Sequence, residues 1–316
     1  MSDVKSKELV DAVVIGGGPA GFSAAINLAR ARWTVALVER ARPGRSDWGQ
    51  INQNYFGFPD GVSIVELGKR GRQQAERFGV RVIDGEVRSV TIDGERFNIV
   101  SDKASLRSRG LVIATGVEDR WVDFPGYEQF IGRSMHWCID CDGYEMANQR
   151  VLVVGNDEEA AEMAMQLLRF AKTVSLLTNE GVIGIADALV KELSDSGISL
   201  LVGRIVSATS TKRGYFRTVV LEDNSVIELD HLFSAQGATP NTALARAIGV
   251  ELNNDGYIKV DTEAHTNLPG VVAAGDVTRL FSHQVATAVH EGATAAGSLS
   301  YYLFQQIASD TSEDSS

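Results

Sequence analysis

The chain has 316 residues, 44% hydrophobic and 22% charged, globular proportions that exclude disorder as the overall state and suit two domains of ordinary size. The net charge of −11 argues against a general affinity for nucleic acid or for an anionic membrane surface. No apolar run approaches the ~18 residues a spanning helix needs, and residues 1–10 lack the apolar core of a secretory signal, so a cytoplasmic protein with no nucleic-acid or membrane partner is expected.

In chain order, residues 11–15 form an apolar strand that runs into Gly16-Gly17-Gly18-Pro19-Ala20-Gly21. Helical spacing of Ala24, Ala25, Leu28 and Ala29 follows, and then a second strand over 33–38 ends at Glu39. This is a βαβ opening with a specific job for each glycine. Gly16 permits the tight turn, Gly18 lets backbone approach a pyrophosphate, and Gly21 lets the helix pack on the strand. The free N–H groups at the helix start suit phosphate, and Glu39 suits ribose hydroxyls. Residues 80–101, punctuated by Asp84-Gly85 and Asp93-Gly94, read as a small antiparallel meander, and 111–116 as another buried strand.

Cys138 and Cys141 are the only cysteines. A single C-x-x-C in a chain without other thiols reads as redox chemistry in a reducing compartment, because a structural metal site would need two further soft ligands. A second βαβ begins at 151–155, with a helix over about 158–170 and a return strand over 174–178. A buried strand at 271–276 and a last helix over about 282–304 follow, and the acidic, Ser-rich tail from 308 reads as a frayed end. The fold expected is α/β with two Rossmann-like dinucleotide-binding domains: 1–118 with 248–316 as one, and 119–247 inserted in it.

These segments closely resemble low-molecular-weight thioredoxin reductases. Gly16–Gly21, Ala114-Thr115-Gly116 and Gly275-Asp276 resemble the three FAD signatures of two-dinucleotide flavoproteins, and Cys138-Ile139-Asp140-Cys141-Asp142-Gly143 resembles the family's active-site segment. The resemblance implies a homodimer with one FAD per chain. It implies that Asp276 holds the ribityl chain, that His283, Gln284 and Val285 approach the flavin, that Gln50 and Asn54 lie near the ring, and that Val87 lies near the adenine. It further implies that Cys141 faces the flavin, Cys138 attacks the partner disulfide and Asp142 moves the proton between them. Trp137 is placed beside the flavin or in the domain seam, and His136 reads as a seam residue. Tyr301, Tyr302 and Phe304 are candidates to stack over a flavin.

One departure from the family is informative. Where its second phosphate-binding turn needs three glycines, this chain has Gly155-Asn156-Asp157-Glu158-Glu159. Two side chains stand where bare backbone is required, and carboxylates would repel a pyrophosphate. Thr178, Asn179 and Glu180 replace the basic cluster with which NADPH users grip the 2′-phosphate. NADPH is therefore not expected. In this loss the chain resembles the ferredoxin-dependent and diflavin-linked branches of the family, a resemblance that implies ferredoxin or a second flavin as donor and thioredoxin or another disulfide as acceptor. A flavin dithiol oxidase acting on oxygen and a flavin–dithiol redox sensor are the alternatives. Arg30, Arg32, Arg40, Arg42 and Arg45 could supply a basic face for an acidic ferredoxin.

Overall fold

The computed structural model describes residues 8–40, 45, 48 and 50–313. A first sheet carries the parallel order Arg81–Asp84, Val35–Glu39, Glu8–Ile15, Ser105–Ile113 and Val271–Ala273. The N-terminal half of Ser105–Ile113 continues outward into the antiparallel strands Arg96–Ser101 and Val87–Asp93. The expected meander is therefore real but shifted along the chain: Arg81–Asp84 belongs to the parallel sheet, and the 111–113 segment is the end of a longer strand. From Val10 to Ile15 the apolar residues of this central strand are buried on both faces, as are those of Val35–Glu39 and 111–113, as a sheet covered by helices requires.

Seven helices are described: α1 (Pro19–Arg30), α2 (Ile64–Arg77), α3 (Ile139–Asp142), α4 (Glu158–Leu167), α5 (Asp187–Asp195), α6 (Ala243–Ala247) and α7 (Val285–Glu313). The helix α7 lies along α1. Its Gly292 sits so close that an added Cβ would stand 2.2 Å from the Ala20 carbonyl oxygen. Ser23 Oγ donates to the Val289 carbonyl at 2.7 Å, and Trp33 Nε1 donates to Ser300 Oγ at 2.8 Å. These contacts help to anchor α7. The helix runs past the expected stop near 304 and through most of the tail read as frayed, because that reading weighed composition without the surface that supports the helix. Residues 314–316 of that tail lie outside the described residues.

A second parallel sheet has the order Met135–His136, His231–Ser234, Arg150–Val154, Thr173–Leu177 and Ser199–Leu201, with α4 and α5 on it. It has its own two apolar clusters. A three-stranded antiparallel sheet, Ile205–Lys212, Tyr215–Leu221 and Val226–Glu228, was not expected from the sequence. The strands Val117–Asp119 and Ala238–Pro240 pair antiparallel where the chain passes between the two parallel sheets. Among the described residues no helix is long and apolar enough to cross a membrane.

Gly292→Val would drive two methyls into the α1 backbone. We expect a loss of about 2–3 kcal/mol in unfolding free energy, measured by urea denaturation. An unchanged midpoint would show that α7 does not need this close approach.

Candidate active site

A cleft of about 740 Å³ opens at the C-terminal ends of the first sheet's strands. Its walls include Gly16, Gly18, Pro19, Ala20, Glu39, Gln50, Val87, Ala114, Thr115, Gly116, Trp137, Cys141, Gly275, Asp276, His283, Gln284 and Val285. The glycines do different work. Gly16 has φ +113°, and a Cβ there would lie 2.1 Å from the Ala114 oxygen. Gly21 does not line the cleft: a Cβ on it would meet the Gly16 oxygen at 1.9 Å, so it closes helix to strand. Gly18, at the N-cap of α1, has no side-chain cap and open space around it. The first-turn N–H groups of α1 thus lack a side-chain cap at a helix start, the arrangement a pyrophosphate fills. Glu39 ends its strand beneath Gly17 and pairs with Arg72 Nη1 at 3.4 Å. These residues fit a dinucleotide such as FAD.

Asp276 Oδ2 accepts from Arg45 Nη1 at 2.8 Å, and Arg45 also grips Asp119 at very short range while its guanidinium lies over Trp137. Burial opposes the charge on Arg45, but the hydrogen bonds and charges of Asp119 and Asp276 outweigh it and raise its pKa. Arg45 is thus an internal clasp. Of the arginines that cluster in sequence, Arg40 and Arg45 line the cleft, Arg30 and Arg32 are exposed, with Arg30 over Phe78, and Arg42 lies outside the described residues.

Cys138 and Cys141 are joined as a disulfide, with Cys138 Sγ accepting from the Cys141 amide at 3.1 Å at the start of α3. Cys141 faces the cleft. Gln284 lies against both sulfurs, its Nε2 at 3.4 Å from Cys138 Sγ and 3.5 Å from Cys141 Sγ. Asn54 does not line the cleft. Its Nδ2 donates to Gln284 Oε1 at 2.9 Å and to the Asp140 carbonyl at 3.1 Å, so it braces Gln284 on the disulfide. His283 is fixed by an Nε2 contact to the Arg279 carbonyl at 2.8 Å. None of Tyr301, Tyr302 and Phe304 lines the cleft: Tyr301 and Phe304 are exposed on α7, and Tyr302 packs against Gly270. Sequence reasoning missed Asn241, which exchanges bonds with Thr115 through Thr115 Oγ1 to the Asn241 carbonyl and Asn241 Nδ2 to the Thr115 carbonyl.

Asp142 is buried behind the disulfide. Gln50 Nε2 donates to both its oxygens at 3.1 Å. His136 Nδ1 lies 3.2 Å from Asp142 Oδ2, at contact distance but out of line for a hydrogen bond. His136 Nε2 meets His231 Nδ1 at 2.9 Å. The parallel register of Met135–His136 with His231–Ser234 brings these rings together across 95 residues of chain. Burial, helped by His136 and opposed by Asp230 and Asp142, pushes the His231 pKa down to about 4.

The second glycine turn is filled by its own side chains. Asp157 caps α4, Oδ1 accepting from the Ala160 amide at 2.9 Å. Asn156 Nδ2 donates to Glu180 Oε2 at 2.9 Å, and its Oδ1 accepts from the Gly184 amide at 2.7 Å. Thr178 Oγ1 donates to the Glu180 carbonyl at 2.8 Å.

A C-x-x-C disulfide set into the wall of a dinucleotide cleft defines a flavin-dependent disulfide oxidoreductase. Residues 10–292 match the model of the pyridine nucleotide-disulphide oxidoreductase family. The chain is 32% identical over 306 residues to a thioredoxin reductase of Streptomyces coelicolor, spanning 94% of this chain and 93% of the relative. It is 30% identical over 308 residues to one of Listeria innocua, spanning 94% and 95%. Among solved structures it is similar to HlmI, with TM-score 0.89, 29% identity and 98% and 96% coverage. It is also similar to thioredoxin reductase from Streptococcus pyogenes, with TM-score 0.87, 28% identity and 95% and 100% coverage. The chain therefore belongs to the pyridine nucleotide-disulphide oxidoreductase family, within its thioredoxin reductase-like group, and family membership implies FAD.

The depressed His231 pKa makes stability depend on pH. An unfolded histidine takes up its proton near pH 6.5, whereas the folded one waits until about 4. The contribution is fully present above 6.5 and is lost as pH falls towards 4, by at most roughly 3 kcal/mol. Urea denaturation at about pH 7.5 and pH 4 should show a smaller pH difference in His231→Gln than in the parent; equal differences would contradict the burial assigned to this ring.

Proposed function

We propose that this thioredoxin reductase-like enzyme exchanges electrons between FAD and the Cys138–Cys141 pair without NADPH. The observation that carries this reading is the second turn, where Asp157 occupies the α4 N-terminus and Asn156 is tied to Glu180 and Gly184. A helix start capped by a carboxylate has given its Ala160 N–H to Asp157 and set a negative charge at the positive end that would hold a pyrophosphate. Glu158, Glu159 and Glu180 beside the turn add like charge that would repel a dianionic phosphate. The donor is then a ferredoxin or a second flavin, and the acceptor a thioredoxin-like or other protein disulfide.

In the first domain the open backbone at Gly18, with Glu39, Thr115 and Asp276, would hold FAD, which supplies a two-electron redox centre beside Cys141. Asp276 is held by Arg45 at the cleft wall, and Gln284, braced by Asn54, keeps both sulfurs in one orientation. Cys141 is the cleft-facing sulfur and Cys138 the one assigned to the partner disulfide. Asp142, within reach of a proton donor and acceptor in His136, moves the proton.

Anaerobic mixing of the FAD-loaded protein with NADPH should leave the flavin band near 450 nm unbleached, while a reduced ferredoxin or a small dithiol bleaches it. Rapid bleaching at micromolar NADPH would overturn the reading. Cys141→Ser should keep FAD bound yet lose dithiol-driven bleaching entirely; retained bleaching would remove Cys141 from its role.

A further inference from the structure

We propose that His136 and His231 form a proton wire that connects Asp142 to solvent behind the cleft, so that the carboxyl beside the dithiol can be reloaded while the cofactor occupies the front. This rests on the proposed dithiol chemistry and adds two relay residues to it.

The need for such a path is geometric. Asp142 is 9% exposed, and neither it nor His136 nor His231 lines the cleft. Its neighbours on the cleft side are Gln50 and Cys141, and neither an amide nor a disulfide conducts a proton. His136 is 5% exposed and packs against Phe233 and His231, whose tilted rings both have centroids 5.1 Å from its own. Only His231 is half-buried and reaches toward water. The charged groups around it are Asp142 beyond His136, and Asp230, itself held by Arg150 at 2.9 Å. A histidine that stays neutral above about pH 4 has one nitrogen to accept a proton and one to give it, as a relay requires.

Each transfer balances. Opening the Cys138–Cys141 bond breaks one S–S bond and forms two S–H bonds, consuming two electrons and two protons. A reduced flavin at neutral pH supplies the electron pair and one proton. The other proton comes from Asp142 to the departing thiolate. His136 Nδ1–H then reprotonates Asp142, His231 Nδ1–H passes to His136 Nε2, and solvent protonates His231 Nε2. Closing the disulfide runs the same transfers backwards. The 3.2 Å contact of His136 Nδ1 with Asp142 Oδ2 is the link that must align for the transfer.

The test uses the FAD-loaded full chain, anaerobic, with dithiothreitol as the electron source and bleaching near 450 nm as the readout. His231→Gln keeps an amide to bond His136 but cannot pass a proton. It should melt like the parent and bleach about tenfold more slowly, a modest share of what general acid–base catalysis contributes. His231→Ala should be slowed similarly and recover with added imidazole. In the unmodified protein, the rate plotted against the deuterium fraction of the solvent should curve, as for several protons in flight. Parental rates in His231→Gln, no imidazole recovery in His231→Ala, or a linear deuterium plot would each overturn the wire. Failure of dithiothreitol to bleach the parent would instead defeat the dithiol–flavin reading itself, and the wire with it.

Discussion

The placement of one S–S bond against one cleft wall governs the rest of this structure. A disulfide on a four-residue helix has little local rigidity, so its orientation is imposed from outside. Gln284 bonds both sulfurs from the start of α7, and Asn54 fixes Gln284 from a separate segment. Behind the bond, Gln50 holds Asp142 by both oxygens and His136 abuts it. Each brace comes from a different part of the chain, and α7 can supply one only because Gly292 lets it lie on α1. A packing contact between two helices thus sets the geometry at the sulfurs.

The two nucleotide turns show how little sequence separates a working cradle from a closed one. At Gly18 no side chain competes for the N-terminus of α1, and the space above it is open. At Asp157 the same position on α4 carries its own anion, and Asn156 ties the turn to the next loop. Asp157 also gives α4 a cap worth about 1 kcal/mol, so the change that removes a ligand stabilises the domain left behind.

Much of this was legible in the sequence, for a physical reason. Glycine requirements and a missing glycine are local: Gly16, Gly18 and Gly21 announce backbone approach, and Asn156-Asp157 announces its loss. The C-x-x-C likewise names its chemistry by spacing alone. What escaped depends on register and packing. His231 meets His136 only because Met135 pairs with Leu232 in a parallel ladder, and no spacing rule connects them. Arg45 looked like surface charge until Asp119 and Asp276 were found on either side of it. Strands Ile205–Lys212 and Tyr215–Leu221 hid behind Ser, Thr and Lys on an exposed face, and the length of α7 followed from contacts that composition does not reveal.

The central claim is that a side chain of this protein already sits where a pyridine nucleotide's phosphates would go. Calorimetric titration of the FAD-loaded chain with NADPH tests it most directly. The account requires no saturable binding up to millimolar nucleotide in the parent; a micromolar dissociation constant, abolished by substitution at the Asn156–Asp157 turn, would contradict it.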